Sequence, residues 1–223
     1  MSTAPITSTM STAPVGSVDS GNGHDVPATL AARTSYQIDP AASQVEFTIG
    51  KRLFFVKHLL VTGRFADVQG TISLDEHEPA NTWAEVTIGA ASVDTRIGKR
   101  DKHLRQADFF DVERYPHQTF VSRRIETIDR ATGRYCVVGA LTVRGVIREV
   151  TLDATYVPAR EVATGAGPRR ITLTLTGGLH RRDFGMVWNN PLVTIPDDLT
   201  VRLQIEATSA HLGDPYPIKG AAA

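Results

Sequence analysis

The residues with most chemical potential sit in one short charged stretch, Arg100-Asp101-Lys102-His103-Leu104-Arg105, which runs on through Asp108-Phe109-Phe110-Asp111 to Tyr115-Pro116. Asp101, His103 and Asp108 offer acid and base groups, which serve catalysis only within reach of a substrate. Asp101 and His103 stand two apart, so on a helix they face different ways and make a poor metal pair. None of the seven histidines forms an H-x-x-x-H pair or another zinc spacing. There is no G-x-S-x-G elbow and no phosphate-cradling glycine loop. Ser92-Val93-Asp94-Thr95 precedes the helix, and Asp94 or Thr95 is expected to cap its free amides. A second charged knot, Arg181-Arg182-Asp183-Phe184-Gly185, reads as an ion-pair network at the end of a sheet structure. The alternative is a clamp for an anionic lipid head group, since guanidinium matches phosphate geometry.

The elements around these knots are mostly strands. Residues 1 to about 34, rich in Ser, Thr, Ala, Gly and Pro, are expected to form a flexible tail. Val45, Phe47 and Ile49 alternate with Gln44, Glu46 and Thr48, the period of a half-buried strand. The run Leu53 to Leu60 fits a strand or a helical turn. Gly63 and Gly70 inside the next strand suggest bulges or bends, as a strongly curved sheet needs. After a turn at 76–81 and a strand through Val86 and Ile88, the helix is expected from Ile97 to about Gln106, with Leu104, Phe109 and Phe110 as a plug. Further strands are expected at Thr119–Ile125, over Tyr135, Val137, Gly139, Leu141 and Val143, and over Val150, Leu152, Ala154 and Tyr156. Arg144-Gly145 is a tight turn between the last two. Residues 158–169 read as a mobile hairpin loop. The strand over Ile171, Leu173 and Leu175 is expected to break at Gly177-Gly178. A last strand carries Leu199, Val201, Leu203 and Ile205, and 211–223 is loose. About eight strands with no βαβ alternation favour an antiparallel barrel or sandwich. Its inward set is almost purely aliphatic and aromatic, and pattern alone leaves open whether side chains or an apolar ligand fill it.

Composition narrows the partners. Lys plus Arg and Asp plus Glu number 24 each, which disfavours a general attraction to nucleic acid. One cysteine, Cys136, precludes an internal disulfide, and its strand-like neighbours suit a small buried hydrophobe. No apolar run reaches membrane-spanning length. No ordinary export signal is visible, so the expected compartment is the cytoplasm.

The chain resembles the YceI-like family of lipid-binding, or polyisoprenoid-binding, barrels. The match runs through Tyr36-x-Ile38-Asp39, Val45-x-Phe47, Gly63-Arg64-Phe65 and Gly70-Thr71-Ile72. Its most specific element is Ser92-Val93-Asp94-Thr95 leading into Arg100-Asp101-x-His103-Leu104, Asp108-Phe109-Phe110-Asp111 and Tyr115-Pro116-x-x-x-Phe120. Gly139-x-Leu141-Thr142-x-x-Gly145 and Arg182-Asp183-Phe184-Gly185 follow in order. The resemblance implies an all-β, eight-stranded antiparallel lipocalin-like barrel over residues 35–210, with a short helix capping one end. It implies a long apolar lipid inside, such as a polyisoprenoid or isoprenoid quinone, with no required cofactor and no catalytic set. Dimers occur in the family, and many relatives carry an export signal. With inward parity taken from the alternation, the ligand-binding candidates are Phe47, Ile49, Phe65 and Ile72, then Val86, Ile88, Phe120 and Leu141, then Leu152, Leu173, Leu203 and Ile205. Arg100, Arg181 and Arg182 are the head-group candidates. The expected function is binding, storage or transport of such a lipid. The alternative is an enzyme acting on a hydrophobic substrate through Asp101, His103 and Asp108.

Overall fold

Alternation of apolar and polar residues puts every second side chain on one sheet face. When such strands curl into a ring, one face becomes an interior. The computed structural model describes residues 33–53, 57–158, 168–188, 190–191 and 193–209. Its strands are β1 (Arg33–Ile38), β2 (Gln44–Leu53), β3 (Lys57–Phe65), β4 (Val68–Asp75), β5 (Trp83–Gly89), β6 (Val93–Asp94) and β7 (His117–Asp129). They continue as β8 (Arg134–Val143), β9 (Val146–Val157), β10 (Arg170–His180), β11 (Val193–Thr194) and β12 (Asp198–Ser209). The helix α1 spans Gly98–Leu104.

Eight antiparallel strands close on themselves in the order β1, β4, β5, β7, β8, β9, β10, β12, and β12 returns to β1. Beyond its pairing with β1, β12 continues along β2, where Leu203 lies opposite Val45. β2 pairs with β3, and β3 with β6, so these strands lengthen the wall towards α1. The inward positions form one core, with Tyr36, Ile72, Val86, Phe120, Leu152 and Ile205 all buried.

The turns follow local chemistry. Val143 pairs with Val146 across Arg144-Gly145, both at positive φ (52° and 73°). That is the two-residue hairpin whose twist matches its strands. Asp75 ends β4 and accepts hydrogen bonds from the amides of His77 (3.0 Å) and Glu78 (2.8 Å), tying down the short turn that leads to β5.

Several expectations need correction. Gly63 and Gly70 lie within regular pairing, and neither marks a bulge. The register shifts instead in the β7–β8 pair, between Ser122 and Arg124 and again between Thr127 and Asp129. Gly63 pairs directly with Phe47, and a Cβ there would collide with the Phe47 ring. The glycine therefore provides ring space rather than a bend. Gly177-Gly178 does not end β10, which pairs with β12 without interruption as far as His180. Gly177 instead makes room for Leu152. The undecided run from Leu53 to Leu60 is strand at both ends, with Leu53 opposite Lys57, and 54–56 fall outside the described residues. Arg33 and Thr34 belong to β1 rather than to the tail. The remainder of the expected tail, the core of the 158–169 loop and the segment 211–223 also fall outside the described residues.

Candidate binding cavity

Position 101 fixes the capping element. Asp101 is buried, and its Oδ1 accepts hydrogen bonds from the Thr95 amide (2.9 Å) and the Thr95 hydroxyl. Arg100 closes over the same residue, donating from Nε to Thr95 Oγ1 (2.7 Å) and from Nη2 to Thr95 O (2.9 Å). Arg105 ties the far end of α1 back, donating to the carbonyls of Ala91 and Val93 at 2.8 Å each. The expected cap is therefore reversed. Ile97 occupies the N-cap with no side-chain bond, and Thr95 is a donor to the helix's own acid. Asp94 accepts instead from the Arg96 amide (2.7 Å), which holds its carboxyl below the usual carboxylate range, and it pairs with Arg64 (3.2 Å).

Phe109 and Phe110 follow α1 and press into the barrel mouth. Phe110 meets Phe65 edge-on at 5.3 Å, and Phe65 meets Phe47 at 5.8 Å. His103 stands edge-on to both Phe109 (5.0 Å) and Trp188 (5.4 Å). These contacts make α1 and its trailing loop an aromatic stopper.

Behind the stopper lie two cavities. The helix-side cavity measures about 260 Å³ and the far one about 530 Å³. Val86, Phe120, Leu152 and Leu203 line both, so they form the waist between two chambers. Of the candidates for ligand contact, Phe47, Ile49, Phe65, Ile88 and Leu141 line the helix-side chamber, and Ile72, Leu173 and Ile205 the far one. With the four waist residues, all twelve border a cavity. At the waist the Phe120 ring lies over Gly139, where any Cβ would collide with it. Gly139 is diagonal to Phe120 across the β7–β8 pair, and a glycine there lets the ring fold down against the sheet.

The head-group candidates separate. Arg181 is buried and lines the helix-side chamber, but its guanidinium is occupied by backbone. It donates to the carbonyls of Pro196 (3.0 Å), Ile195 (3.0 Å), Trp188 (3.5 Å) and Met186. Burial, with Arg182 adding to it, pulls its pKa down. Arg181 therefore braces the loop that carries Trp188 and is not free to clamp a phosphate. Arg182 is exposed and lines neither chamber. Arg100 borders the helix-side chamber and keeps Nη1 without a partner among the described residues. The acid and base candidates separate too. Asp101 is engaged with Thr95, Asp108 is exposed, and His103 alone of the three borders the chamber, with Nε2 at 3.2 Å from Asp108 Oδ2. No group of three or more His, Cys, Asp or Glu side chains among the described residues is arranged to hold a metal.

Two features escaped the sequence. Gln118 lines the helix-side chamber from β7. The expected strand began at Thr119, one residue too late to put Gln118 on the inward face with Phe120. At the far chamber, Tyr156 donates to Glu76 Oε1 (2.9 Å), and Arg169 donates to both Glu76 oxygens (3.1 and 3.3 Å). Burial and the Glu76 bond push the Tyr156 phenol well up. These three residues come from distant points of the chain, and only the closed ring joins them.

Known proteins share this architecture. A Campylobacter jejuni YceI protein superposes with a TM-score of 0.61 at 32% identity, covering 70% of this chain and 91% of its own. A polyisoprenoid binding domain from Saccharophagus degradans superposes with a TM-score of 0.57 at 20% identity, covering 79% and 99%, a likeness of fold. A UPF0312 protein from Photorhabdus laumondii is 38% identical over 127 residues, 57% of this chain, and the matched stretch spans 64% of that protein's length. The family model of the YceI-like domain matches residues 36–207, which takes in the ring from β1 to β12, and the chain belongs to that family.

Proposed function

We propose that the barrel takes up one long apolar chain of the polyisoprenoid class, isoprenoid quinones included, and binds, stores or transports it with the chain running through both chambers. The observation that carries this reading is the pair of cavities, the helix-side one apolar and the far one mostly so, meeting at Val86, Phe120, Leu152 and Leu203. Two chambers in line behind a waist suit a flexible chain better than a compact ligand. Each buried methylene contributes about 0.8 kcal/mol, so a chain of several isoprene units offsets the cost of association without many polar contacts. The polyisoprenoid binding domain from Saccharophagus degradans, which shares the fold, lends support by its name.

The rival reading, an enzyme acting on a hydrophobic substrate, draws on one observation, His103 bordering the chamber while facing Asp108. One experiment separates the two. Solvent-stripped protein is titrated with farnesol, geranylgeraniol and solanesol, following the fluorescence of Trp188 beside the helix-side chamber. Binding is expected to tighten from farnesol to geranylgeraniol as more methylenes are buried, with each lipid recovered chemically unchanged. Absence of binding by all three contradicts the proposal, and recovery of an altered lipid supports the enzyme.

A further inference from the structure

We propose that the helix-side chamber reads a neutral hydrogen-bond acceptor oxygen on its ligand, and that Gln118 is the side chain that binds it. This rests on the lipid-binding reading above and adds which end of the lipid enters which chamber.

Gln118 is the second residue of β7 and lies on the same face as Phe120 and Ser122. Its residue is only 7% exposed, and Nε2 is shut away from solvent with no hydrogen-bond partner. Buried polar groups are almost always paired, because an unpaired one loses its water and gains nothing in return. Its neighbour on the strand obeys that rule: Ser122 Oγ, also buried, accepts from the Ala84 amide at 2.8 Å. The other buried polar side-chain atom without a partner is the Tyr36 hydroxyl, and Tyr36 lines neither chamber. Gln118 therefore combines two properties that no other described residue shares, an unpaired buried donor and a place in a cavity wall. An acceptor oxygen on a bound molecule supplies the missing partner.

The charges nearby indicate what kind of oxygen. Arg181 spends its guanidinium on four backbone carbonyls. Arg100 spends Nε and Nη2 on Thr95 and keeps one terminal nitrogen, short of the two-pronged fork that grips phosphate. His103 faces Asp108. A diphosphate buried here would find too few free cations, whereas a carbonyl or hydroxyl oxygen needs only the one amide donor. The ligand end in this chamber is thus a quinone carbonyl or an alcohol.

The test uses the full chain and four probes with related isoprenoid chains: farnesene, farnesol, a short-chain ubiquinone and farnesyl diphosphate. Gln118→Leu is expected to weaken farnesol or the quinone by roughly tenfold, one hydrogen bond's worth, and to leave farnesene unchanged or tighter. A loss confined to farnesol identifies a hydroxyl as the group read, and one confined to the quinone identifies a carbonyl. Gln118→Met serves as a second apolar variant of similar volume should Gln118→Leu not fold. Equal effects of the substitution on farnesene and on both oxygenated probes overturn the inference while chain binding stands. Tighter binding of farnesyl diphosphate than of farnesol by the unaltered protein also overturns it. Failure of the unaltered protein to bind any probe overturns the lipid-binding reading itself.

Discussion

At the scale of single residues, Arg181 is the clearest case of a charge whose role the sequence could not give. Written as Arg-Arg-Asp-Phe-Gly, it reads as a surface knot with guanidinium groups to spare. In the fold it is buried against four carbonyls of the 186–196 segment and holds Trp188 beside the chamber. Replacing it leaves those carbonyls unpaired, and a buried group stripped of its partner costs more than the bond's net worth. Arg181→Leu is therefore expected to destabilise the protein by about 3 kcal/mol, and Arg182→Leu to leave stability nearly unchanged. Chemical denaturation of the two variants side by side checks this, and equal losses would contradict the assignment. Asp101 follows the same logic with the sign reversed, as a buried carboxylate answered by the Thr95 amide and hydroxyl. The spacing Thr95 to Asp101 is visible in the sequence. That Thr95 turns its amide and hydroxyl to the Asp101 carboxylate, and does not cap the helix amides, is not, because that depends on where the chain turns at Arg96, a residue at positive φ (62°).

At the scale of elements, the strands were legible wherever one face is apolar and the other polar. β12 and β10 announce themselves by strict alternation, and the β8–β9 turn by Arg144-Gly145. Legibility failed at glycines. Gly63 and Gly177 read as a bend and a break, yet each provides space for a side chain from another strand, Phe47 and Leu152, and Gly139 does the same for Phe120. A glycine's purpose lies in what approaches it, and the approaching group is far away in sequence. The turn after β4 was legible as a turn but not as an electrostatic device. The Glu78 amide above all, with the Asn81 side chain and the His77 amide, holds the Asp75 carboxyl below its ordinary range, although burial opposes this. A depressed folded-state pKa means the stabilisation is fully present above the unfolded value, about 3.9, and is lost as pH falls through the folded one. Melting temperature in acid is thus expected to fall less steeply below about pH 4 for Asp75→Asn than for the unaltered protein, from a lower starting value at neutral pH. Parallel slopes would show that Asp75 does not contribute in this way.

At the scale of the whole molecule, eight strands close into a ring, β2 and β3 lengthen it, and α1 with Phe109 and Phe110 closes one end. The charged stretch that looks most like an active site proves to be chiefly the fastening of that closure. Period and spacing show about eight antiparallel strands and the helix, but they run β3 and β4 together as one strand and do not mark β1. The two chambers, their waist and the Glu76–Tyr156–Arg169 cluster were not readable, since each is made by residues that only the closed ring brings together. The apolar lining was anticipated as a set, but its partition was not, because alternation tells which side faces inward and not how high along the barrel a residue sits. The proposed role of the interior is to hold a lipid. Mass spectrometry of the intact protein under native conditions, followed by solvent extraction of the same sample, tests it most directly. The expected result is one long-chain isoprenoid bearing a neutral oxygen per barrel, released by the solvent; protein recovered empty that also takes up neither isoprenoid quinone nor polyprenol would rule that role out.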